Sequence, residues 1–148
     1  MRKANIFIDW LNIRDNGGRS LQFADLIKAI EDQGYHIQRI NLYAPPAEEN
    51  QTSFYDAIRR NGIKIVLIPG KCDSYNCDAL MAVDMVTQSN NVDTIFLLSN
   101  DADFIPAVEY LQMIGKRVEL YHGDSPSNKL RTTVDKWYHI ANEKLTKD

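Results

Sequence analysis

The stretch that decides the fold is VDTIFLLSNDADFIPAVEYLQMIGKRVEL, residues 92–120. It begins with an almost continuous apolar run over 92–99, which is typical of a strand buried on both faces of a sheet. Residues 103–115 predict a helix, in which Pro106 is tolerated because it lies in the first turn. The segment 116–122 predicts a second strand. A strand, a helix and a strand in this order favour a parallel pair joined by a right-handed crossover.

The same alternation continues on both sides of this stretch. Three further segments have the pattern of strands, namely 4–9, 36–44 and 63–70. Four further segments have helical spacing of their apolar residues, namely 20–34, 52–62, 77–88 and 127–145. The sequence therefore predicts a single α/β domain over 1–148, with a core at about 3–142. We expect a mainly parallel central sheet of about five strands, flanked by helices.

The composition is that of an ordinary globular domain. The chain has 148 residues, of which 44% are hydrophobic and 25% charged, and its formal net charge is −3. That charge gives no overall attraction to nucleic acid, although a local basic rim is compatible with it. No apolar run has membrane-spanning length, and the first residues do not resemble a signal peptide. With Cys72 and Cys77 as the only cysteines, we expect a reduced, cytoplasmic protein.

Acidic residues follow the predicted strands at the points where these end. Asp9 ends the first strand, Asp101 and Asp103 follow the fourth, and Asp78 enters the helix after the third. Parallel strands deliver their carboxyl ends to one edge of the sheet, so these acids are expected to meet there. Crowded carboxylates repel one another, and a hard divalent cation such as Mg²⁺ or Mn²⁺ relieves the repulsion. A metal held in this way suits phosphodiester hydrolysis.

Local structure offers another explanation for some of these acids. Asp103 alone fits a helix N-cap, and Asp78 alone fits an acid in the first turn of a helix. Asp9 and Asp101 have no such local role once Asp103 is taken as the cap. From spacing alone, a metal site and scattered helix capping stay open as about equal alternatives.

Four motifs resemble those of a known family, the NYN domains, and specifically the LabA-like branch of the PIN-like nucleases. They occur in the family's order and cover nearly the whole chain. The family's D-x-x-N opening is similar to IFIDWLNI (6–13), and its VD-x-x-L-A-x-D helix is similar to CDALMAVDMV (77–86). Its SGDSDF-x-P unit is similar to LLSNDADFIPAVEYLQMIGKRVEL (97–120). Its closing segment is similar to NKLRTTVDKWYHI (128–140).

The resemblance implies a PIN-like Rossmannoid three-layer sandwich and metal-dependent RNA cleavage. It implies that a metal-activated water is the nucleophile, and that four acids hold Mg²⁺ or Mn²⁺: Asp9, Asp78, Asp101 and Asp103. Asn12 would orient the first acid or contact a metal-bound water or a phosphate. Ser99 would support the loop, and Asp84 also matches a family position, as a supporting residue.

The sequence departs from the family pattern at three places. Asn100 stands where the family has the glycine of its SGDSDF motif, and Ala102 stands where it has the serine between the two acids. The family's KGVD lead-in is replaced by YNCD, so that Lys71 lies several residues upstream of Asp78. These changes fall beside the proposed acids.

Several basic and aromatic residues are candidates for RNA contact. The basic ones all fall in loops or at helix starts near the acidic edge: Arg14, Arg19, Lys71, Lys129 and Arg131. Trp10 and Tyr75 lie beside the acids and suit either base stacking or packing against the sheet. Trp137 and Tyr138 are interpreted as the apolar anchor of a last helix.

We therefore predict a divalent-metal-dependent ribonuclease whose partner is RNA. A non-catalytic PIN-like module that binds RNA or metal, and a small-molecule phosphohydrolase, remain as alternatives. Pairing of two copies into a homodimer is left open by the sequence, and no membrane partner is expected.

Overall fold

The structure is a computed structural model that describes residues 1–46, 52–68 and 74–147, without the side chains of 74–76. Its sheet has six strands rather than about five: β1 (Arg2–Asp9), β2 (Tyr35–Ala44), β3 (Lys64–Leu67), β4 (Thr94–Leu98), β5 (Arg117–His122) and β6 (Lys136–His139). The helices are α1 (Trp10–Ile13), α2 (Phe23–Asp32), α3 (Thr52–Arg60), α4 (Ser74–Thr87), α5 (Ile105–Met113) and α6 (Asn128–Thr133). Within the described ranges, no helix is both long and apolar enough to cross a membrane.

The strand order across the sheet is β3-β2-β1-β4-β5-β6, and all pairings between these strands are parallel. The predicted α/β class with a parallel sheet is thus confirmed. From β1 the chain first builds outward to β2 and β3, and then returns to the other side of β1 for β4, β5 and β6. The order changes direction between β1 and β4, and the carboxyl ends of these two strands form the crevice where sheets of this kind bind ligands.

The apolar run of the first strand fills the core on both faces of the sheet. Ile6 and Ile8 are fully buried in one cluster with Leu26 and Ile30 of α2. Phe7 points to the opposite face and is fully buried in a second cluster that includes Met85 of α4. Burial on both faces leaves β1 immobile at the centre of the sheet, so the residue at its end has a fixed position.

The predicted helix over 127–145 is wrong in its second half. α6 ends at Thr133, and β6 begins three residues later as an edge strand paired with β5. Asp135 lies between the two elements, where its carboxylate accepts a hydrogen bond at 2.8 Å from the backbone N–H of Val118. This contact fixes the chain beside β5 and starts the sixth strand, so tertiary pairing overrides the helical pattern of the sequence.

Candidate metal centre

The first acid of the site lies at the point where the strand order changes direction. Asp9 is the last residue of β1, and Ser99 directly follows β4, the neighbouring strand. The Ser99 hydroxyl donates a hydrogen bond at 2.9 Å to Asp9 Oδ2. It also accepts one at 3.1 Å from the backbone N–H of Asp101. Ser99 is completely buried and joins the two acid-bearing strand ends.

Asp9 is a buried carboxyl group with a strongly perturbed pKa. Only 6% of the residue is exposed. Burial is the largest of the causes that set the pKa of Asp9 at about 6; the hydrogen bond from Ser99 opposes this rise, and the charge of Asp101 acts in the same direction as burial. A carboxylate held in this state is stabilised by any cation that approaches it.

Three other aspartates bring their carboxylates together beside Asp9. Oxygens of Asp78, Asp101 and Asp103 all lie within 4.8 Å of one another. Asp78 comes from α4, whereas the other two belong to the turn that follows β4. Asp9 is not part of this tight group, although its charge acts on Asp78. The structure thus assembles the four predicted acids as a group of three with a fourth close by.

Asp78 is the acid whose carboxylate has a buried oxygen without a hydrogen-bond donor among the described residues. Its Oδ2 atom is fully buried and has no hydrogen-bond partner among the described residues. Burial is the largest of the causes that raise the pKa of Asp78 to about 8, and a hydrogen bond with Asp101 and the charges of the neighbouring acids act in the same direction. A buried carboxylate oxygen without a donor costs free energy unless a cation or a proton satisfies it.

This donor set fits a hard divalent cation. All the ligand atoms offered are carboxylate oxygens, which Mg²⁺ and Mn²⁺ prefer. Neither cysteine nor histidine belongs to the group within the described residues, so softer metals lack their usual ligands. A cavity of about 290 Å³ opens beside the acids, and its lining includes Asp9, Asn12, Asp15, Asn16, Tyr43 and Asp101. The arrangement therefore combines a place for a cation with space for a ligand.

Comparison with known proteins agrees with this geometry. The model of the NYN domain family matches residues 3–141. The chain belongs to the NYN domain family. A solved structure of a protein of unknown function from Vibrio parahaemolyticus RIMD 2210633 has the same fold, with a TM-score of 0.79 at 23% identity over 94% of this chain and 93% of that one. Among curated proteins, no sequence matches this chain. NYN domains are generally PIN-like nucleases that act on RNA.

The asparagine of the NYN opening motif connects the end of β1 with the loop after β4. Asn12 lies in α1, one turn after Asp9. Its side-chain oxygen accepts a hydrogen bond at 2.8 Å from the backbone N–H of Asn100. Asn12 also lines the cavity. It therefore holds the loop after β4 in place from the end of β1.

Asn100, which replaces the family's glycine, joins four segments of this NYN domain. Its side-chain oxygen accepts a hydrogen bond at 2.7 Å from the N–H of Gly123, and its side-chain amide donates to the carbonyl of Asp124. Its own carbonyl accepts a bond at 3.1 Å from the N–H of Ser127. A glycine at position 100 has no side chain for the first two bonds, so the replacement adds contacts between the acid loop and the end of β5.

The helix cap after β4 is Asp101, and the prediction that Asp103 is the cap is wrong. The backbone of Asp101 is extended, and its carboxylate accepts a hydrogen bond at 2.9 Å from the N–H of Asp103. The cap opens a short 3₁₀ turn, Ala102–Phe104, that leads into α5. Asp101 thus stabilises the turn and faces the other acids, because one carboxylate oxygen is enough for the cap.

Asp84 lies outside the group of acids and acts through a residue that the sequence did not point out. The hydroxyl of Tyr43 donates a hydrogen bond at 2.7 Å to Asp84. Tyr43 pairs with Asp9 across β1 and β2 and lines the cavity. A tyrosine in an apolar strand gives no signal of its own, and only the strand register places it beside the first acid.

The predicted RNA-contact residues fall into two groups. Arg14 forms an ion pair at 2.8 Å with Asp15, which lines the cavity, and the charge of Arg19 also acts on Asp15. Lys129 and Arg131 lie on α6. Lys71 lies outside the described residues. The two described groups therefore lie in different parts of the fold, one after α1 and one on α6.

The structure decides between the two alternatives that the sequence left open for Trp10, and it departs from the prediction for Cys77. Trp10 is 3% exposed, with its ring packed between those of Phe23 and Phe54, so it supports the sheet edge and does not offer a stacking face. Tyr75 has no described side chain. Cys77 is disulfide-bonded, which corrects the expectation of a reduced thiol at this position. Cys72 lies outside the described residues.

A close contact between two loops completes the wall of the site. The N–H of Asp124 donates a hydrogen bond at 2.7 Å to the carbonyl of Asn16. A Cβ atom at Gly123 would collide with that carbonyl, and one at Gly17 would lie 2.5 Å from the Asp124 carboxylate. Gly17 also has a φ of 88°, which favours glycine. Both glycines permit the loops after β1 and β5 to approach.

Proposed function

We propose that this NYN domain is a ribonuclease of the LabA-like branch that hydrolyses RNA phosphodiester bonds with Mg²⁺ or Mn²⁺. The observation that carries the proposal is the group of three aspartates within 4.8 Å, one of which has a buried and unpartnered oxygen, at the change of strand order. Phosphate oxygens are common further ligands of such an ion, and the adjoining cavity has room for them.

Some residues of the site would bind the ion, and others position the residues that bind it. Asp78, Asp101 and Asp103 would hold the cation, and Asp9, whose charge already acts on Asp78, would add its negative charge to the site. When bound, the cation supplies an activated water and neutralises charge that develops on the phosphate. Hydrogen bonds of Ser99, Asn12 and Asn100 connect the end of β1 with the loop after β4, which bears Asp101 and Asp103.

Cleavage of labelled RNA by pure protein tests the proposal. We expect cleavage only with Mg²⁺ or Mn²⁺, and at least a hundred-fold loss for Asp101→Asn and for Asp78→Asn, because each change removes a negative ligand. Asp32→Asn is the matched control, since Asp32 lies at the exposed end of α2 in an ion pair with Lys28. It should cleave as the unchanged protein does.

Other outcomes distinguish the alternatives. RNA that stays intact in both metals, while the protein binds it, would contradict the nuclease and favour a binding module. Hydrolysis of mononucleotides without cleavage of oligomers would instead indicate a small-molecule phosphohydrolase. Circular dichroism of each variant shows whether the fold is retained.

A further inference from the structure

The surface formed by α6 and β6 has an exposed aromatic ring where the sequence predicted a buried anchor. Trp137 is 47% exposed, more than any other aromatic side chain among the described residues. The other tryptophan, Trp10, is almost fully buried. A tryptophan ring that stays exposed does not contribute the hydrophobic free energy that its burial would give. Exposed apolar rings of this kind are typical of surfaces that bind a ligand.

The exposed ring is held in a defined orientation. The guanidinium of Arg131 lies over it, 4.8 Å from the ring centroid. The buried imidazole of His122 lies 5.4 Å from it, and this imidazole stacks on His139. Arg131 itself donates a hydrogen bond to the side chain of Asn128. Trp137 and Arg131 are therefore pre-positioned and lose little conformational freedom when a ligand binds.

The charge around the ring differs in sign from that of the chain. Residues 127–139 contain Lys129, Arg131 and Lys136 but only one acid, Asp135, whereas the whole chain carries a net charge of −3. The carboxylate of Asp135 accepts the N–H of Val118. Cationic side chains around an aromatic ring are typical of surfaces that bind single-stranded nucleic acid.

This surface is connected directly to the proposed metal centre. The N–H of Ser127, the N-cap of α6, donates to the carbonyl of Asn100, the residue before Asp101. Arg131 lies about one helical turn further, roughly 6 Å along α6. His139 contacts Asp124 at 3.1 Å, and Asp124 in turn accepts a bond from Asn100. A strand whose phosphate lies at the acids would therefore reach Trp137 with a nearby base.

We propose that Trp137 and Arg131 form a stacking site for an unpaired base of single-stranded RNA, flanking the phosphate that is cleaved. The proposal rests on the proposed nuclease function, because that function places the cleaved phosphate of the RNA at the acids. Lys129 and Lys136 would attract the adjoining backbone phosphates. A base inside a duplex is already stacked on its neighbours, so the site predicts a preference for single strands.

Equilibrium binding of a labelled oligouridylate, measured with the full chain in EDTA, tests the site without requiring catalysis. We expect Trp137→Ala and Arg131→Ala to bind roughly ten-fold more weakly, and Trp137→Phe to lose less because it keeps a ring. Binding of a duplex of equal length should change little. Tyr110→Ala and Arg59→Ala are matched controls, since Tyr110 is 44% exposed on α5 and Arg59 lies in the last turn of α3. Both should bind as the unchanged protein does.

Tryptophan fluorescence gives a second readout. In Trp10→Phe, Trp137 is the sole tryptophan, and stacking of a base should quench its emission as oligouridylate is added. Unchanged emission, or a folded Trp137→Ala protein with unchanged single-strand affinity, would overturn the stacking site. Equal losses for single strand and duplex would also overturn it.

Parallel cleavage assays separate this proposal from the nuclease itself. Normal KM and kcat in Trp137→Ala would contradict the stacking site and leave the nuclease standing. Weakened binding in that variant, with no cleavage by any form of the protein, would support the stacking site and contradict the nuclease.

Discussion

At the scale of single residues, the two buried acids link the site to pH. The pKa values of Asp9 and Asp78 are raised in the folded protein to about 6 and about 8, whereas an unfolded aspartate titrates near 3.8. Between these values the folded state holds more protons than the unfolded state. The contribution of each group to the free energy of unfolding therefore falls as the pH rises. For Asp9 this fall takes place between about pH 4 and pH 6, and for Asp78 between about pH 4 and pH 8.

Asp78→Asn should therefore stabilise the metal-free protein at pH 8. Asparagine removes the charge that burial and the neighbouring acids oppose, so we expect Tm to rise by a few degrees at pH 8 and by much less at pH 4. Thermal unfolding in EDTA measures both values. An equal shift at the two pH values would contradict the assignment, and the exposed Asp32→Asn should not raise Tm at either pH.

The acids also mark the limit of reasoning from sequence about individual residues. Asp9, Asp78, Asp101 and Asp103 were found because they follow strand ends or enter a helix beside them. The cap was assigned to the wrong aspartate, because both acids have the composition of an N-cap and only the backbone angles of Asp101 decide between them. Tyr43 and Gly123 had no signal, since their roles depend on which strands are neighbours.

At the scale of elements, the sequence predicted five of the six strands, including the edge strand β3, and missed the other edge strand, β6. β1 contains the apolar run 6–8 and β4 the apolar run 95–98, and these patterns are independent of the strands' partners. β6 has the sequence KWYH, with two exposed and two half-buried residues, and it is a strand because β5 and the contact of Asp135 hold it there. The four residues of β6 have no apolar run or alternation that would predict a strand by itself.

Asn100→Gly tests the connection between the elements around the site. The change removes two side-chain hydrogen bonds to the loop after β5 and leaves the buried N–H of Gly123 without its partner. We expect the free energy of unfolding to fall by about 2 kcal/mol, measured by urea denaturation.

Asn61→Gly is the matched control, because Asn61 is exposed after α3 and its side chain makes one hydrogen bond to its own helix. The interpretation of Asn100 as a connection would be wrong if both variants lost the same small amount of stability.

At the scale of the whole molecule, the cation should act as part of the folded structure. Only the folded state brings Asp78, Asp101 and Asp103 together, so binding stabilises it by mass action. With Mn²⁺ at one hundred times its Kd, we expect Tm to rise by roughly 5–10 °C. The rise should be larger at pH 8 than at pH 5, because protons compete for the same oxygens.

Differential scanning calorimetry of the unchanged protein, with and without Mn²⁺, measures this rise in Tm. Asp78→Asn should abolish most of it, and Asp32→Asn should preserve it. A rise in the Asp78→Asn variant as large as in the unchanged protein would place the ion elsewhere.

The position of β1 also has a kinetic consequence. The hydroxyl of Ser99 bonds to Asp9 across 90 residues of chain, and the two residues lie at the carboxyl ends of the paired strands β4 and β1. The loop that closes when β1 pairs with β4 must form before the sheet can be completed, and parallel pairing of this kind is slow. We therefore expect the metal centre and the core to form in the same step of folding. During refolding, recovery of metal affinity should follow the same time course as burial of Trp10.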